Sequence, residues 1–249
     1  MQRYFIPKKA WYDDRIRITG DDVHHITRVM RFTVGEKIIC NDENGVAAQC
    51  EILEIDKDFV VVAILHWLEE NNELPIEVTI VHGIPKADKF EIVLQKGTEL
   101  GAHKYIPFQS ERSIVIWDKK KWAKKLQRFN KIVKEASEQS HRSYVPTISN
   151  PMSITELIEE SSQYDLKIFA YEEEAKVNNY HTFGSILKQI NSNQKLLVCI
   201  GPEGGFSEEE ANILKVNDFH PIRLGPRILR TETAPLYALS AISYHFEEQ

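Results

Sequence analysis

The sequence predicts an α/β protein in two parts: a small barrel-like β module over residues 1–70, then a larger domain over 74–249 on a mostly parallel sheet. Three observations carry this. From Glu77 onward, apolar strand-like runs alternate with helical runs, the pattern of a parallel sheet covered on both faces. The first seventy residues instead hold short strands and an Asn44-Gly45 pair between apolar runs, a hairpin signal. Between the two, "LEENNELP" (Leu68 to Pro75) is polar and ends in proline, as linkers do. A chain of 249 residues can hold one large domain or two smaller ones and bury a sizeable core.

Taken in order, "RYFI" and "RIRI" read as short strands and "DDVHHITRVMRF" (Asp21 to Phe32) as one helix. "EKIICNDENGVAAQCEILEID" and "FVVVAILHW" complete the module. In the larger domain the strands are "EVTIVHGI", "KYIPF", "LKIFAY", "KLLVCIG" and "HPIRLG". Helical patterns follow each: "KFEIVLQKGTELGA", the lysine-rich "KKWAKKLQRFNKIVKEASEQS", "FGSILKQI", "SEEEANILKV" and "APLYALSAISYHF". "SITELIEESS" adds a short helix before Leu166. Ligands of such sheets bind beyond the carboxyl ends of the strands.

Composition narrows the function. Hydrophobic content of 42% and charged content of 27% are those of a soluble globular chain. The N-terminus "MQRYFIPKKAW" lacks the apolar core of a signal peptide and no run spans a bilayer, which points to a cytoplasmic protein without membrane contact. Cys40, Cys50 and Cys199 stand alone on strand-like segments, so neither a disulfide framework nor a zinc site is expected, and no other metal site is either. The net charge of −6 hides an asymmetry. From Arg112 to Arg142 ten Lys/Arg face three acids, a local +7, whereas the region from Tyr171 onward is acidic, opening with Glu172, Glu173 and Glu174. A polyanion responds to such local fields.

The most informative stretch is "IGPEGGFSEEEANIL", Ile200 to Leu214. A strand, a glycine turn and a helix suggest a phosphate site, but Ser207 and Glu210 form a capping box that occupies the first donors of the helix. Glu208 and Glu209 add charge that repels an anion. The glycines also miss the dinucleotide-fold spacing. What remains is a tight turn bringing bare backbone groups near a ligand, which suits a neutral ring such as adenine. A plain strand-to-helix turn explains the same residues about equally well.

A second loop, "RLGPRILRTETAPLYAL" (Arg223 to Leu239), repeats the theme: strand, Gly-Pro, short apolar bridge, then Arg230 to Thr233 before a helix. Thr231 or Thr233 is a candidate cap, with Pro235 acceptable in the first turn. The helix from Lys119 to Ser140 places Trp122, Leu126, Phe129, Val133 and Ala136 on one face, with Lys120, Lys124, Arg128 and Lys131 opposite. Alone, that is a solvated amphipathic helix. His24 and His25 read as packing or RNA-facing residues, not metal ligands.

Five motifs in order, "KGTELG" (Lys96 to Gly101), "SERS" (Ser110 to Ser113), "EASEQSHR" (Glu135 to Arg142), "IGPEGGFSEEE" and "LGPRILRTETA", resemble the RsmE family. These are bacterial 16S rRNA (uracil N3)-methyltransferases of the SPOUT trefoil-knot superfamily. Gly97, His141 and Pro235 depart from its usual residues. The resemblance implies an N-terminal PUA-like β-barrel RNA-binding domain and a knotted C-terminal domain that binds S-adenosylmethionine. It also implies a homodimer acting on 16S rRNA within the small ribosomal subunit. Cofactor contacts carry over to Ala170 and the loop after it, to Ile200, Gly201, Pro202, Glu203 and Gly204, and to Leu224, Gly225, Ile228 and Leu229. Arg230 is the candidate for stabilising charge on uracil, Glu232 the candidate base or the partner that orients Arg230. Arg112, Lys120, Lys124, Arg128, Lys131 and Arg142 are the expected RNA contacts.

Two other classes compete. A non-catalytic RNA-binding module of ribosome assembly fits the basic helix but predicts no cofactor binding. A Rossmann-type enzyme is opposed by the missing glycine fingerprint after the first strand of the larger domain.

Overall fold

The computed structural model describes residues 1–70, 72–171 and 182–249. The chain divides into two compact units: Met1–Glu73 with Ser137–Val145, and Leu74–Ala136 with Pro146–Gln249.

The N-terminal unit is one six-stranded sheet: β1 (Arg3–Phe5), β2 (Trp11–Tyr12), β3 (Arg15–Thr19), β4 (Lys37–Asn41), β5 (Ala47–Ile55) and β6 (Phe59–Leu68). Their order is β1-β4-β5-β6-β3-β2. Only β1 and β4 pair in parallel; the remaining pairs are antiparallel. The Asn44-Gly45 hairpin joins β4 to β5, with Gly45 at φ +83° and the Asp42 carboxylate accepting from the Asn44 and Val46 N–H groups. Register shifts between Gln49 and Cys50 and between Ile52 and Glu54 bend the β5–β6 pair, the usual means of curling a sheet. Alternate residues of the strands, Ile16, Ile18, Ile38, Cys40, Cys50, Ile52, Val60 and Val62, fill a core closed by Val23 and Ile26.

The expected helix from Asp21 to Phe32 runs unbroken over Asp21–Val29, opening as α1 (Asp21–His24) and continuing in π-type geometry over His25–Val29. The chain then enters the left-handed region at Arg31.

The second unit contains β7 (Glu77–Gly83), α2 (Lys89–Glu99), β8 (Lys104–Phe108), α3 (Lys119–Gln139), β9 (Thr147–Ile148) and α4 (Ile154–Glu160). These are followed by β10 (Leu166–Ala170), α5 (Phe183–Leu187), β11 (Lys195–Ile200), α6 (Glu208–Val216), β12 (His220–Ile222) and α7 (Thr233–Glu247). The last three residues of α3 belong with the first unit. The sheet order is β12-β10-β11-β7-β8-β9, and every pair is parallel. This is the α/β architecture the alternating pattern predicts, parallel throughout where a mostly parallel sheet was expected. Strands buried on both faces need continuous apolar runs, and Leu196 to Ile200 are all buried. Gly97, on α2, lets that helix approach Tyr105: a Cβ there would lie 2.6 Å from the phenol oxygen.

One boundary differs from expectation. Ser137–Val145 pack with the N-terminal unit rather than with the larger domain. Arg142 is 2% exposed and its guanidinium grips the Glu73 carboxylate, which also accepts from the Ser143 and Tyr144 N–H groups. The Glu138 carboxylate accepts from the Phe5 N–H at 3.2 Å. The polar "LEENNELP" stretch is therefore pinned by its acids, with Glu70 on Arg3 and Glu73 on Arg142. Arg142 is a buried structural cation, not the phosphate contact expected of it. A charge with this little exposure persists only with its partner.

Candidate functional site

In a parallel sheet the strand ends are segregated, and chain order reverses where β11 stands between β10 and β7. Crevices at such points hold ligands in open α/β sheets. Six connections leave from the carboxyl edge, and those after β7, β10, β11 and β12 are Ile84 to Asp88, Tyr171 onward, Gly201 to Phe206 and Arg223 to Glu232. Both Gly-Pro loops are among them. The third expected cofactor segment reaches only Ala170 and Tyr171 before Glu172–His181, which lie outside the described residues together with the acidic run.

The glycine loop is built by close packing. A Cβ at Gly83 would meet Pro202 at 2.4 Å, and a Cβ at Gly201 would meet the Gly205 carbonyl carbon at 2.9 Å. The turn closes by a bond from the Gly205 N–H to the Pro202 carbonyl at 2.9 Å. Behind it, Ser207 and Glu210 form the expected capping box. Glu210 does more than cap. Its carboxylate, buried, accepts from the Ser207 N–H at 2.9 Å, the Ser110 hydroxyl at 3.0 Å and the Glu111 N–H at 2.8 Å. That fixes the "SERS" loop beside the glycine loop, where the exposed Arg112 donates to the Gly204 carbonyl at 3.0 Å.

The second loop is tied to the glycine loop and to β7 through Thr231. Its hydroxyl donates to the Gly201 carbonyl at 2.7 Å, and its carbonyl lies 2.9 Å from His82 Nε2. Thr231 therefore does not cap α7. The cap position is Glu232, without a side-chain cap bond, and the Arg230 carbonyl receives the Thr233 and Ala234 N–H groups. Gly225 turns at φ +79°, with its carbonyl accepting from Arg223 Nε at 2.8 Å.

Sequence reasoning missed two residues that join these loops. Lys89, the first residue of α2, places Nζ 3.0 Å from Glu203 Oε1 and 3.3 Å from Glu232 Oε2. Glu203 Oε1 also accepts from the Lys86 N–H at 3.1 Å. A lysine at a helix N-terminus opposes the helix dipole, and that misplacement was the available signal. The hydrogen bond from Lys89 to Glu203, with the nearby Glu232, raises the lysine pKa. Burial would raise the Glu203 carboxyl, but hydrogen bonds from its own N–H, Lys89 and the Lys86 N–H outweigh it and hold it below the usual range. His82 gave no signal. It is fully buried at the end of β7, with Nδ1 2.7 Å from the Gly83 carbonyl and Nε2 facing Thr231. The two carbonyls and the carboxylates of Glu203 and Glu232 favour the imidazolium, yet burial outweighs them and lowers the His82 pKa.

The remaining expected residues fall as follows. Ile200, Gly201 and Pro202 are buried, as is Leu224, while Glu203 is exposed at the loop tip. Leu229 is half-buried and Ile228 projects into solvent, 84% exposed. Arg230 is exposed. Glu232 contacts Lys89, which recasts it as a tie between loops. Lys120, Lys124, Arg128 and Lys131 are exposed along α3, opposite buried Trp122, Phe129 and Val133. Arg128 is paired with Glu91 at 2.6 Å.

Comparison with known proteins places this arrangement. An RNA methyltransferase domain model matches residues 72–243, and an RNA methyltransferase PUA domain model matches residues 18–65. The chain is 48% identical to ribosomal RNA small subunit methyltransferase E of Bacillus subtilis (strain 168), over 99% of this chain and 98% of that protein. The chain belongs to the ribosomal RNA small subunit methyltransferase E family. The family member of Synechocystis is 31% identical over 92% of this chain and 72% of its own length. The crystal structure of the Neisseria gonorrhoeae member, bound to S-adenosyl methionine, superposes with a TM-score of 0.86 at 30% identity. It covers 99% of this chain and 98% of that one. Among the described residues no helix is long and apolar enough to cross a membrane, and no group of three or more His, Cys, Asp or Glu is placed to hold a metal ion.

Proposed function

We propose that this chain transfers a methyl group from S-adenosylmethionine to N3 of a uridine in 16S rRNA, acting as a homodimer on the small ribosomal subunit. The observation that carries the reading is the pair of Gly-Pro loops joined through Thr231 at the carboxyl edge of a parallel sheet. Membership of a small-subunit rRNA methyltransferase family supports it.

The residues fit the cofactor by donor chemistry. A phosphate ligand is disfavoured because Ser207 and Glu210 consume the first donors of α6, and Glu208 and Glu209 surround what is left. A neutral adenine and a cationic sulfonium meet no such penalty beside backbone groups and the carboxylates of Glu203 and Glu232. On this reading Ile200 to Gly204 and Leu224 to Leu229 hold the cofactor, together with Ala170 and the segment after it. Bound S-adenosylmethionine supplies an electrophilic methyl group. Transfer from a sulfonium needs alignment more than Lewis-acid help, so no metal is required.

Uracil N3 lies on the Watson–Crick edge and carries a proton, so the base must be unpaired or flipped to react. Arg230, exposed beside the second loop, stabilises charge on a uracil oxygen as N3 loses its proton. Glu232 is the weaker candidate for base, since its Oε2 is engaged by Lys89 Nζ at 3.3 Å. Lys120, Lys124, Arg128 and Lys131 grip phosphates, with Arg112 nearer the glycine loop.

The test is methyl transfer from labelled S-adenosylmethionine to small subunits and to free 16S rRNA, followed by mapping of the modified base. Label at uridine N3 is the expected result. Absence of cofactor binding in calorimetry would leave the non-catalytic assembly module as the reading.

A further inference from the structure

The N-terminal unit is acidic as a whole. Over residues 1–73, nine Lys/Arg face fourteen Asp/Glu. A unit of that sign repels phosphate, so any RNA contact on it must be confined to a local exception. The chain offers one. From His24 to Lys37 the charged side chains are His24, His25, Arg28, Arg31, Lys37 and a single acid, Glu36. Glu36 is spent within its own loop, accepting from the Thr33 N–H and hydroxyl. Arg28, Arg31 and Lys37 are exposed and have no ion-pair partner among the described residues.

The same stretch exposes apolar side chains. Val29 is 58% exposed, Met30 39% and Val34 60%. Its backbone is unusual, with a π-type turn over His25–Val29 and Arg31 at φ +56°. Both features are costly and recur at functional sites. The stretch is nonetheless braced by contacts. Ile26 is buried, Phe32 N–H donates to the Ile26 carbonyl at 3.0 Å, and Gly35 N–H donates to the Ile52 carbonyl at 2.8 Å. His25 Nδ1 lies 2.9 Å from the Tyr4 hydroxyl. Packing alone gives no reason to hold three cations and three apolar side chains in solvent on a strained, braced turn.

We infer that Arg28, Arg31 and Lys37 form a built site for a single-stranded RNA segment, with phosphates on the three cations and an unpaired base against Met30 and Val34. This deepens the rRNA methyltransferase reading and rests on it. Single-stranded RNA is favoured over a duplex because the apolar side chains need an exposed base face, which a stacked helix does not offer. The stacked Trp11 and Trp67 pair is the weaker surface of this unit: Lys8 covers both rings and is itself paired with Asp42.

The test measures affinity of the full chain for a fluorescent single-stranded 16S rRNA segment from 50 to 300 mM salt, and for a duplex of the same sequence. Arg28→Ala, Lys37→Ala and Arg31→Gly are compared with wild type; glycine suits the left-handed backbone at 31. Each should weaken binding and flatten the slope of log K against log salt by about 0.7, the value for one phosphate contact on a single strand. Met30→Ser should weaken binding several-fold with the slope unchanged. Melting temperature and S-adenosylmethionine affinity should stay at wild-type values in all four. An unchanged slope in all three charge variants overturns the inference, as does a preference for duplex. So does a change of oligomeric state in place of a change in RNA affinity, which would mark a protein interface. Wild type that fails to methylate rRNA would instead remove the reading on which the inference rests.

Discussion

The tie between the two loops can be tested at one hydroxyl. Thr231 is 8% exposed and its Oγ1 donates to the Gly201 carbonyl at 2.7 Å. Thr231→Val keeps the shape of the side chain, so it opens no cavity, but it leaves that carbonyl without its donor. An acceptor left unsatisfied in a buried position costs about 1–3 kcal/mol. Thr231→Ser does the opposite: it keeps the hydroxyl and deletes one methyl, worth about 0.8 kcal/mol. In a unit of this size each kcal/mol moves the melting temperature by about 2–4 °C. The valine variant should therefore melt roughly 2–12 °C lower and the serine variant roughly 2–3 °C lower. Circular dichroism melting gives the order, and calorimetry with S-adenosylmethionine gives the consequence for the site, weaker binding in the valine variant than in serine. If serine costs as much as valine in either measurement, methyl packing holds the loops together and the hydroxyl argument is wrong.

Four further outcomes follow from the same geometry. Gly201→Val forces Cβ into the Gly205 and Phe206 backbone and Gly225→Val strains a φ of +79°, so each should abolish cofactor binding with the far-UV spectrum retained; normal affinity in either removes the cradle. Lys89→Met should weaken S-adenosylmethionine binding roughly fivefold while Lys89→Arg restores most of it; equal behaviour of the two variants means that Lys89 ties nothing. Burial lowers the His82 pKa below 6.5, so the unfolded chain binds the extra proton first and stability should fall as pH drops through 6.5, by at most about 1.4 kcal/mol per pH unit for one group; urea unfolding of His82→Gln should lack that component, and an identical pH dependence refutes it. Arg230→Ala should lose two or more orders of magnitude in turnover with cofactor affinity nearly unchanged, while Glu232→Gln should weaken cofactor binding as Lys89→Met does; flattening of the acid limb of the pH–rate profile would make Glu232 the base instead.

What the sequence disclosed depended on the range of the interaction. Alternation of apolar runs foretold the parallel sheet because strand burial is written into neighbouring residues. The capping box at Ser207 and Glu210 was legible for the same reason, since both partners lie within one helical turn. The fate of Thr231 was not, because its partner Gly201 is thirty residues away and a threonine before a helix looks like a cap. Arg142 failed in the same way. It belongs to a basic run in the chain, yet Glu73, which buries it, comes sixty-nine residues earlier. The helix after Gly20 was legible too, but not that its second half, His25–Val29, takes π-type geometry.

The long-range contacts also explain why the three glutamates of α6 differ in consequence. Glu208 and Glu209 are exposed, and their effect on a ligand is a field that salt screens. Glu210 is buried with three donors on its two oxygens. Removing its charge would free the Ser110 to Arg112 loop, and with it the guanidinium at the Gly204 carbonyl. The residue that most directly denies a phosphate its place on α6 is thus also the one that brings a cation to the glycine loop. Repulsion of a mononucleotide phosphate and placement of Arg112 are two results of one carboxylate, so on the proposed function the site would exclude the smaller anion while presenting positive charge to RNA.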